Sequence, residues 1–173
     1  MSYLTPIMSR MSIHEVTQRT AQPYVGITVK VTMSTIASVA DRQPELFAFL
    51  AARGVEPAGA PFWRYHVIDM ERELEIEAGV PVAAPVEGEG DVRAGVLPAG
   101  RYVTVTHVGH PDELIDVTRD LLRWADEQGL TFDHADSPRG DAWVSRLEIY
   151  KTDPAEEPDM SKWETELAFK LTD

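Results

Sequence analysis

Hydrophobic and polar positions recur in the same order in both halves of the chain. In the first half they predict a strand, a helix and two further strands, at 24–33, about 35–53, 62–69 and 73–82. In the second half they predict two strands, a helix and two more strands, at 92–97, 101–108, 111–128, 142–150 and 163–171. Pro44 is expected to kink the first helix or to mark a new start, because proline lacks an amide donor. Two strand-helix-strand-strand units predict an α+β fold with the helices on one side of an antiparallel sheet.

Particular residues also return at a nearly constant distance along the chain. Tyr24 is matched by Tyr102, and Trp63 by Trp143, about 75 to 80 residues later. This duplication predicts a tandem pseudo-twofold repeat with a central groove where the two copies meet. A groove between repeated halves is a natural place for a ligand.

The repeats predict how the chain is divided. We expect a single domain over residues 12–173, preceded by a flexible lead at 1–11. Repeat one is placed at about 12–84 and repeat two at about 91–173. The segment 85–91 is the predicted linker, because glycine, proline and acidic residues cluster there without periodicity.

The composition of the 173 residues excludes several classes of function. A net charge of −13 and a pI near 4.7 argue against direct nucleic-acid binding, which calls for a basic surface. The chain has no cysteine, which excludes disulfides, thiolate zinc sites and a cysteine nucleophile. No apolar run suits a signal peptide or a membrane span, so a cytoplasmic protein without a membrane partner is expected. The sequence assigns no oligomeric state.

A series of short motifs occurs in an order typical of one known family. The motifs are Glu77-Ala-Gly-Val-Pro-Val82, Leu97-Pro-Ala-Gly-Arg-Tyr102, His107-Val-Gly109, Trp124, Gly129-Leu130, Glu148-Ile-Tyr150, Asp153-Pro154 and Trp163-Glu-Thr-Glu166. In this series the chain resembles the GyrI-like small-molecule-binding domain, which also occurs as the effector-binding domain of multidrug-sensing regulators. The resemblance covers about residues 12–173 and is to the stand-alone members of the family.

The resemblance implies a central pocket that binds bulky, flat, lipophilic and often cationic compounds without a cofactor or metal. Glu148 matches the glutamate at the centre of that pocket. Some stand-alone members are similar to hydrolases of cyclopropane-bearing genotoxic natural products, in which the same glutamate directs a water molecule. The resemblance thus implies that Glu148 is a ligand-binding residue, and a catalytic one if the protein is an enzyme.

Alternation divides the predicted strand 142–150 into two faces. The more apolar set, expected beneath the helices, is Trp143, Ser145, Leu147 and Ile149. Glu148 is then expected on the other face, a set that also contains Arg146, Tyr150, Glu164, Glu166 and Lys170. From the residues alone this is a solvated face with weak ion pairs, and only the resemblance makes Glu148 a pocket residue. The acidic string from Asp69 to Glu77 is likewise expected on a solvent face.

Aromatic side chains supply candidate walls for a pocket, since a delocalised cation beside a carboxylate is favoured between rings. The candidates are Trp63, Tyr65, Tyr102, Trp143, Tyr150 and Trp163. Tyr65 and Tyr150 are preferred as walls, and Trp143 is expected in the core. For hydrolysis, Tyr102 or Tyr150 is a candidate donor to the leaving carbonyl oxygen. With Trp63 set against Trp143, Ile68 takes the place of Glu148, so the chemistry is expected in repeat two alone.

Three functions stay open at this point. The first is a binder of lipophilic, cationic or aromatic small molecules, used in multidrug binding or sequestration. The second is a cofactor-independent hydrolase of cyclopropane-bearing compounds that uses the same glutamate to activate water. The third is a protein-interaction module that inhibits a topoisomerase-like partner.

Overall fold

Ten antiparallel strands form one sheet in the computed structural model, which describes residues 13–173. The strands are β1 (Glu15–Arg19), β2 (Gln22–Val31), β3 (Phe62–Ile68), β4 (Leu74–Pro81), β5 (Arg93–Leu97), β6 (Gly100–Val108), β7 (His134–Ser137), β8 (Gly140–Trp143), β9 (Arg146–Tyr150) and β10 (Glu164–Lys170). Two α-helices, α1 (Gln43–Ala52) and α2 (Leu114–Glu127), complete the fold. The predicted α+β class is confirmed, whereas the lead predicted at 1–11 lies outside the described residues.

The order of the strands reflects the internal repeat. The main path of the sheet is β1-β6-β10-β9-β3-β4-β2-β5, and the β7–β8 hairpin joins β3. This path is the same from either end when each strand is exchanged for its counterpart in the other repeat. A pseudo-twofold axis therefore passes between β9 and β3, at the centre of the sheet.

Short connections require the sheet to curl. Only Pro98 and Ala99 separate β5, at one edge, from β6, next to the opposite edge. The turn between β1 and β2 spans the same distance with two residues. Because two residues bridge only a few ångströms, the two edges must approach each other. The concave side encloses a cluster of buried side chains: Tyr24, Phe62, Leu97, Tyr102, Leu147 and Ala168.

A 3-10 turn precedes each helix. A proline marks the start of α1 in the first repeat and the start of the 3-10 turn in the second. Residues Ile36–Arg42 form such a turn, and α1 starts directly after it with Pro44 in its first turn. The alternative of a new start at Pro44 is confirmed, since the proline ring fits the first turn, where no amide donor is needed. Residues Pro111–Glu113 form the corresponding turn before α2.

The helices cover the outer strands on the convex face of the sheet. Helix α1 packs on β2 and β4, and α2 packs on β6. The first helix-side cluster includes Leu46, Leu50, Val25, Ile27, Ile76, Ala78 and Val80. The second includes Leu114, Val117, Leu121, Val103, Val105, Leu167 and Phe169. Within residues 13–173, no helix is long and apolar enough to cross a membrane.

Candidate functional site

The two central strands place Glu148 on the same face as the helices. Glu148 lies directly opposite Trp63 on β3 and opposite Leu167 on β10. Side chains of directly opposed residues share a face, and Leu167 belongs to the cluster beneath α2. The expected placement of Glu148 on the face away from the helices is therefore wrong. Its predicted neighbours Arg146 and Tyr150, two residues away on the same strand, do share its face.

An interruption between β8 and β9 explains this error. The predicted strand 142–150 is broken at Val144 and Ser145. Trp143 on one side of the break and Arg146 on the other contact each other, with the guanidinium carbon 4.9 Å from the ring centre. A count of alternating positions through the break assigns them to opposite faces, and it therefore reverses every position after Ser145.

The registers also change which residues are equivalent in the two repeats. Ile27 pairs with Ala78, and Ala78 with Trp63. In the second repeat Val105 pairs with Leu167, and Leu167 with Glu148. Trp63 and Glu148 are thus counterparts, and the pseudo-twofold axis passes through this pair. The expected equivalences of Trp63 with Trp143, and of Ile68 with Glu148, are wrong.

The same relation makes Tyr65 and Tyr150 counterparts, each two residues further along its strand. The Tyr150 hydroxyl donates to Glu148 Oε1 at 2.8 Å. The Tyr65 hydroxyl lies close enough to the Glu148 carboxylate to lower the pKa of that group. Trp63 completes the group, with its ring 5.7 Å from that of Tyr150 in an edge-to-face arrangement and 6.4 Å from that of Tyr65. One carboxylate therefore has a phenol from each repeat and an indole beside it.

These side chains line a groove between the two helices. Trp63, Tyr65, Arg146, Glu148 and Tyr150 are all half-buried, whereas the apolar positions on the strands beneath the helices are buried. Each helix packs on the outer strands of its own repeat, and the central strands β3 and β9 are less covered by either helix. The carboxylate is therefore enclosed by protein on most sides and still reached from the groove. This is the central groove that the repeat predicts.

Burial controls the ionisation of the group. It raises the pKa of Glu148, while the hydrogen bond from Tyr150, the nearby Tyr65 hydroxyl and the charge of Arg146 act in the opposite direction. The pKa values of Tyr65 and Tyr150 lie well above the ordinary value, first because of burial and then because of the nearby Glu148 carboxylate. Both phenols therefore keep their protons and remain hydrogen-bond donors at neutral pH.

Arg146 is held against aromatic rings next to this carboxylate. Its guanidinium carbon lies 4.5 Å from the ring centre of Phe169, 4.9 Å from that of Trp143 and 5.9 Å from that of Tyr65. Burial lowers the pKa of Arg146, and Tyr65, Glu148 and Asp141 oppose that shift. Guanidinium planes stack well on such rings. The groove thus contains a fixed positive charge as well as a negative one.

Three other predicted site residues lie away from Glu148, namely Tyr102, Trp163 and Glu166. Tyr102 is on the concave side, where its hydroxyl bonds the Pro98 carbonyl at 2.7 Å and Ser145 Oγ at 3.0 Å. Its expected role as a donor at the Glu148 site therefore has no geometric basis. Trp163 precedes β10 and donates its indole N–H to the Glu157 carbonyl at 2.7 Å.

Glu166 also lies away from the groove. It pairs in register with Ile149, so it is on the opposite face from Glu148, and the expected shared face is wrong. Its carboxylate instead forms an ion pair with Arg19 at 2.8 Å. Lys170 is also on this opposite face, opposite Tyr102. Trp143 is buried in the cluster beneath α2, in agreement with its expected place in the core.

Glu77 is a second buried carboxylate, and the sequence pattern did not reveal its burial. Its expected place on a solvent face is wrong, because the side chain is buried on the concave side. The Tyr24 hydroxyl donates to Glu77 Oε1 at 2.5 Å, and His66 Nε2 lies 2.8 Å from the same oxygen. Gly26 lies diagonally across from Glu77 on β2 and leaves room for the carboxylate, since a Cβ there would collide with Glu77. The signal available in the sequence for a buried Glu77 was Gly26, a glycine inside the strand that pairs with the strand of Glu77.

Comparison with known proteins places this geometry among ligand-binding domains. The family described as GyrI-like small molecule binding domain matches residues 13–172. A search of curated proteins found no significant match. Among solved structures, EcmrR in its complex with DNA superposes with a TM-score of 0.76 at 20% identity, over 98% of this chain and 62% of EcmrR. The chain thus spans less than two thirds of EcmrR.

Further solved structures match over nearly their full length. The C-terminal domain of EcmrR has a TM-score of 0.73 at 18% identity, over 94% of this chain and 98% of that domain. SAV2435 bound to tetraphenylphosphonium has a TM-score of 0.62 at 11% identity, over 92% and 94%. A hydrolase from Listeria innocua has a TM-score of 0.58 at 13% identity, over 99% and 98%. At these identities the likeness shows a common fold, and the family match over residues 13–172 shows that the chain belongs to the GyrI-like small-molecule-binding domain family.

Proposed function

We propose that the protein binds bulky lipophilic compounds that carry an aromatic surface and a positive charge, in multidrug binding or sequestration. The observation that carries this proposal is the half-buried carboxylate of Glu148, held by Tyr65 and Tyr150 at the base of the groove. A buried carboxylate is costly unless a positive charge compensates it. A cation delocalised over aromatic groups offers that charge together with apolar surface.

The groove also supplies contacts for the apolar part of such a ligand. Trp63 and the two tyrosines present ring faces and edges around the carboxylate, and aromatic faces attract cations. The net charge of −13 adds a long-range attraction for positive compounds. Tetraphenylphosphonium in SAV2435, a protein of the same fold, is a compound of this chemical class.

Binding of tetraphenylphosphonium, measured by calorimetry, tests this proposal. We expect micromolar affinity in the natural protein and a loss of at least roughly tenfold in Glu148→Gln, since this change removes the charge and keeps the shape. Glu166→Gln is the matched control, because it removes the same charge from the opposite face of the neighbouring strand. Equal affinity of the natural protein and Glu148→Gln would refute the assignment of the site.

Hydrolysis of cyclopropane-bearing compounds is a second candidate, favoured by the raised pKa of Glu148. A carboxylate of raised pKa is a better base toward water. Glu148 would take a proton from a water molecule, and the oxygen of that water would form a bond to the cyclopropane carbon. The ring bond would break toward a conjugated carbonyl, whose oxygen would accept a hydrogen bond from Tyr65 or Tyr150. Turnover that is abolished in Glu148→Gln and kept in Glu166→Gln would establish this activity.

A further inference from the structure

The groove contains a cation that belongs to the protein itself. The Arg146 guanidinium lies over the rings of Phe169, Trp143 and Tyr65, at distances of 4.5 to 5.9 Å. It stands on β9 two residues before Glu148, on the same face of the strand. A planar cation packed on aromatic rings beside a carboxylate has the same chemistry as the ligand proposed above.

Arg146 breaks the symmetry of the groove. By the register that relates Trp63 to Glu148, the counterpart of Arg146 in repeat one is Pro61, which has no charge. The two phenols are present in both repeats, whereas the arginine is present in one. The positive charge is therefore confined to the side of the groove next to α2, where Asp141 and Glu148 are the acidic groups that act on it.

Two opposite charges in one half-buried groove nearly cancel. A mobile cation that approaches Glu148 is attracted by the carboxylate and repelled by the guanidinium. Two unit charges a few ångströms apart at a protein surface interact by about 4 kcal/mol or less. The repulsion is thus large enough to change affinity by an order of magnitude or more.

We propose that Arg146 sets the charge selectivity of the groove by competing, as a tethered cation, with soluble cations for Glu148. This inference rests on the function proposed above and adds to it the ligand class. The groove accepts monovalent, charge-delocalised or weakly basic aromatic compounds, and it disfavours dications. Removal of the arginine charge turns it into a tighter binder of permanent cations.

Tetraphenylphosphonium and tetraphenylborate form a suitable pair of probes, because they share size and shape and differ in the sign of their charge. In Arg146→Met we expect tetraphenylphosphonium to bind roughly tenfold more tightly than in the natural protein, and tetraphenylborate more weakly. Arg146→Lys keeps the charge and is expected to retain the natural preference. Arg119→Met is the matched control, since it removes an exposed arginine of α2.

Glu148→Gln tests the same inference without any change at Arg146. With the carboxylate neutralised, the arginine is the remaining charge, so tetraphenylborate is expected to bind more tightly than in the natural protein. The double variant Glu148→Gln with Arg146→Met lacks both groove charges, so the only preference expected to remain is the long-range one due to the net charge of the protein. Circular dichroism and thermal melting establish that each variant is folded.

The outcomes separate this inference from the proposed function. If Glu148→Gln loses tetraphenylphosphonium but gains no affinity for tetraphenylborate, and Arg146→Met binds both ions as the natural protein does, the role of Arg146 is refuted and the binding function stands. If tetraphenylphosphonium binds neither to the natural protein nor to Arg146→Met, both proposals fail. A reversal of charge preference in Glu148→Gln supports both.

Discussion

Tyr65 and Tyr150 occupy equivalent positions in the two repeats, and both hydroxyls act on the single carboxylate of Glu148, that of Tyr150 through a hydrogen bond of 2.8 Å. The pseudo-twofold axis passes between them, through the pair formed by Trp63 and Glu148. The phenols are therefore duplicated, while the carboxylate exists once. Repeat one contributes Tyr65 and Trp63 beside a carboxylate of repeat two, and the assignment of the chemistry to the second repeat alone stays a prediction.

Replacement of either tyrosine by phenylalanine tests this shared role. A hydrogen bond to a carboxylate stabilises its ionised form, so Tyr65→Phe and Tyr150→Phe are each expected to raise the pKa of Glu148 further. The stabilisation of the ionised carboxylate that is lost corresponds to about 1 to 3 kcal/mol per hydrogen bond. The Glu148 carboxyl signal, followed by NMR as a function of pH, measures the change. Tyr102→Phe is the control and leaves that pKa in place; a shift in only one of the two groove variants would contradict the shared role.

The stability of Glu148→Gln is expected to depend on pH in a defined direction. Burial raises the pKa of Glu148 in the folded protein above its unfolded value, so the folded state holds the proton more tightly. This contribution to stability is fully present below the unfolded pKa and is lost as pH rises through the folded pKa. Glu148→Gln is therefore expected to melt at a higher temperature than the natural protein at pH 7. Thermal melts at pH 4 should show a smaller difference, and a constant difference across this range would contradict the raised pKa.

Glu77 and Glu75, two residues apart on β4, offer a matched test of burial. Glu77 is buried and bonded to Tyr24 and His66, whereas Glu75 is part-exposed and forms an ion pair with Arg139. Glu77→Ala removes the acceptor of the buried Tyr24 hydroxyl and the partner of the part-exposed His66, and it is expected to lower the free energy of unfolding by about 2 kcal/mol. Glu75→Ala is expected to lower it by at most about 1 kcal/mol. Urea denaturation measures both, and similar losses would contradict a structural role for Glu77.

The order of the elements was predictable because alternation and helical spacing are local properties. The strands at 62–68 and 74–81 and the helix after Pro44 follow directly from such patterns. The face of Glu148 was not predictable in this way, because it depends on a break at Val144 and Ser145 that a period-two count cannot detect. Strand β1 lacks a clear alternation and was not predicted, since its pairing with β6 is set by the curl of the sheet.

The contents of the groove were predicted unevenly. The family resemblance identified Glu148, and the aromatic candidates Tyr65, Tyr150 and Trp63 do lie beside it. Glu166 was selected by alternation along its strand and Tyr102 as an aromatic phenol, and the register places both on the face of the sheet opposite Glu148. The packing of Arg146 on Phe169 could not be predicted, because it depends on the register between β9 and β10, in which the two residues are directly opposed.

The edge strands carry a consequence for how the molecule assembles. Strand β1 of repeat one pairs with β6 of repeat two, while β5 of repeat two pairs with β2 of repeat one. Each repeat therefore supplies the outermost strand of the other. Two fragments obtained by cutting the chain between β4 and β5 would each lack an edge that only the other can provide. The halves are interlocked in the manner of a strand-swapped dimer fused into one chain, and neither can finish folding before the other is present.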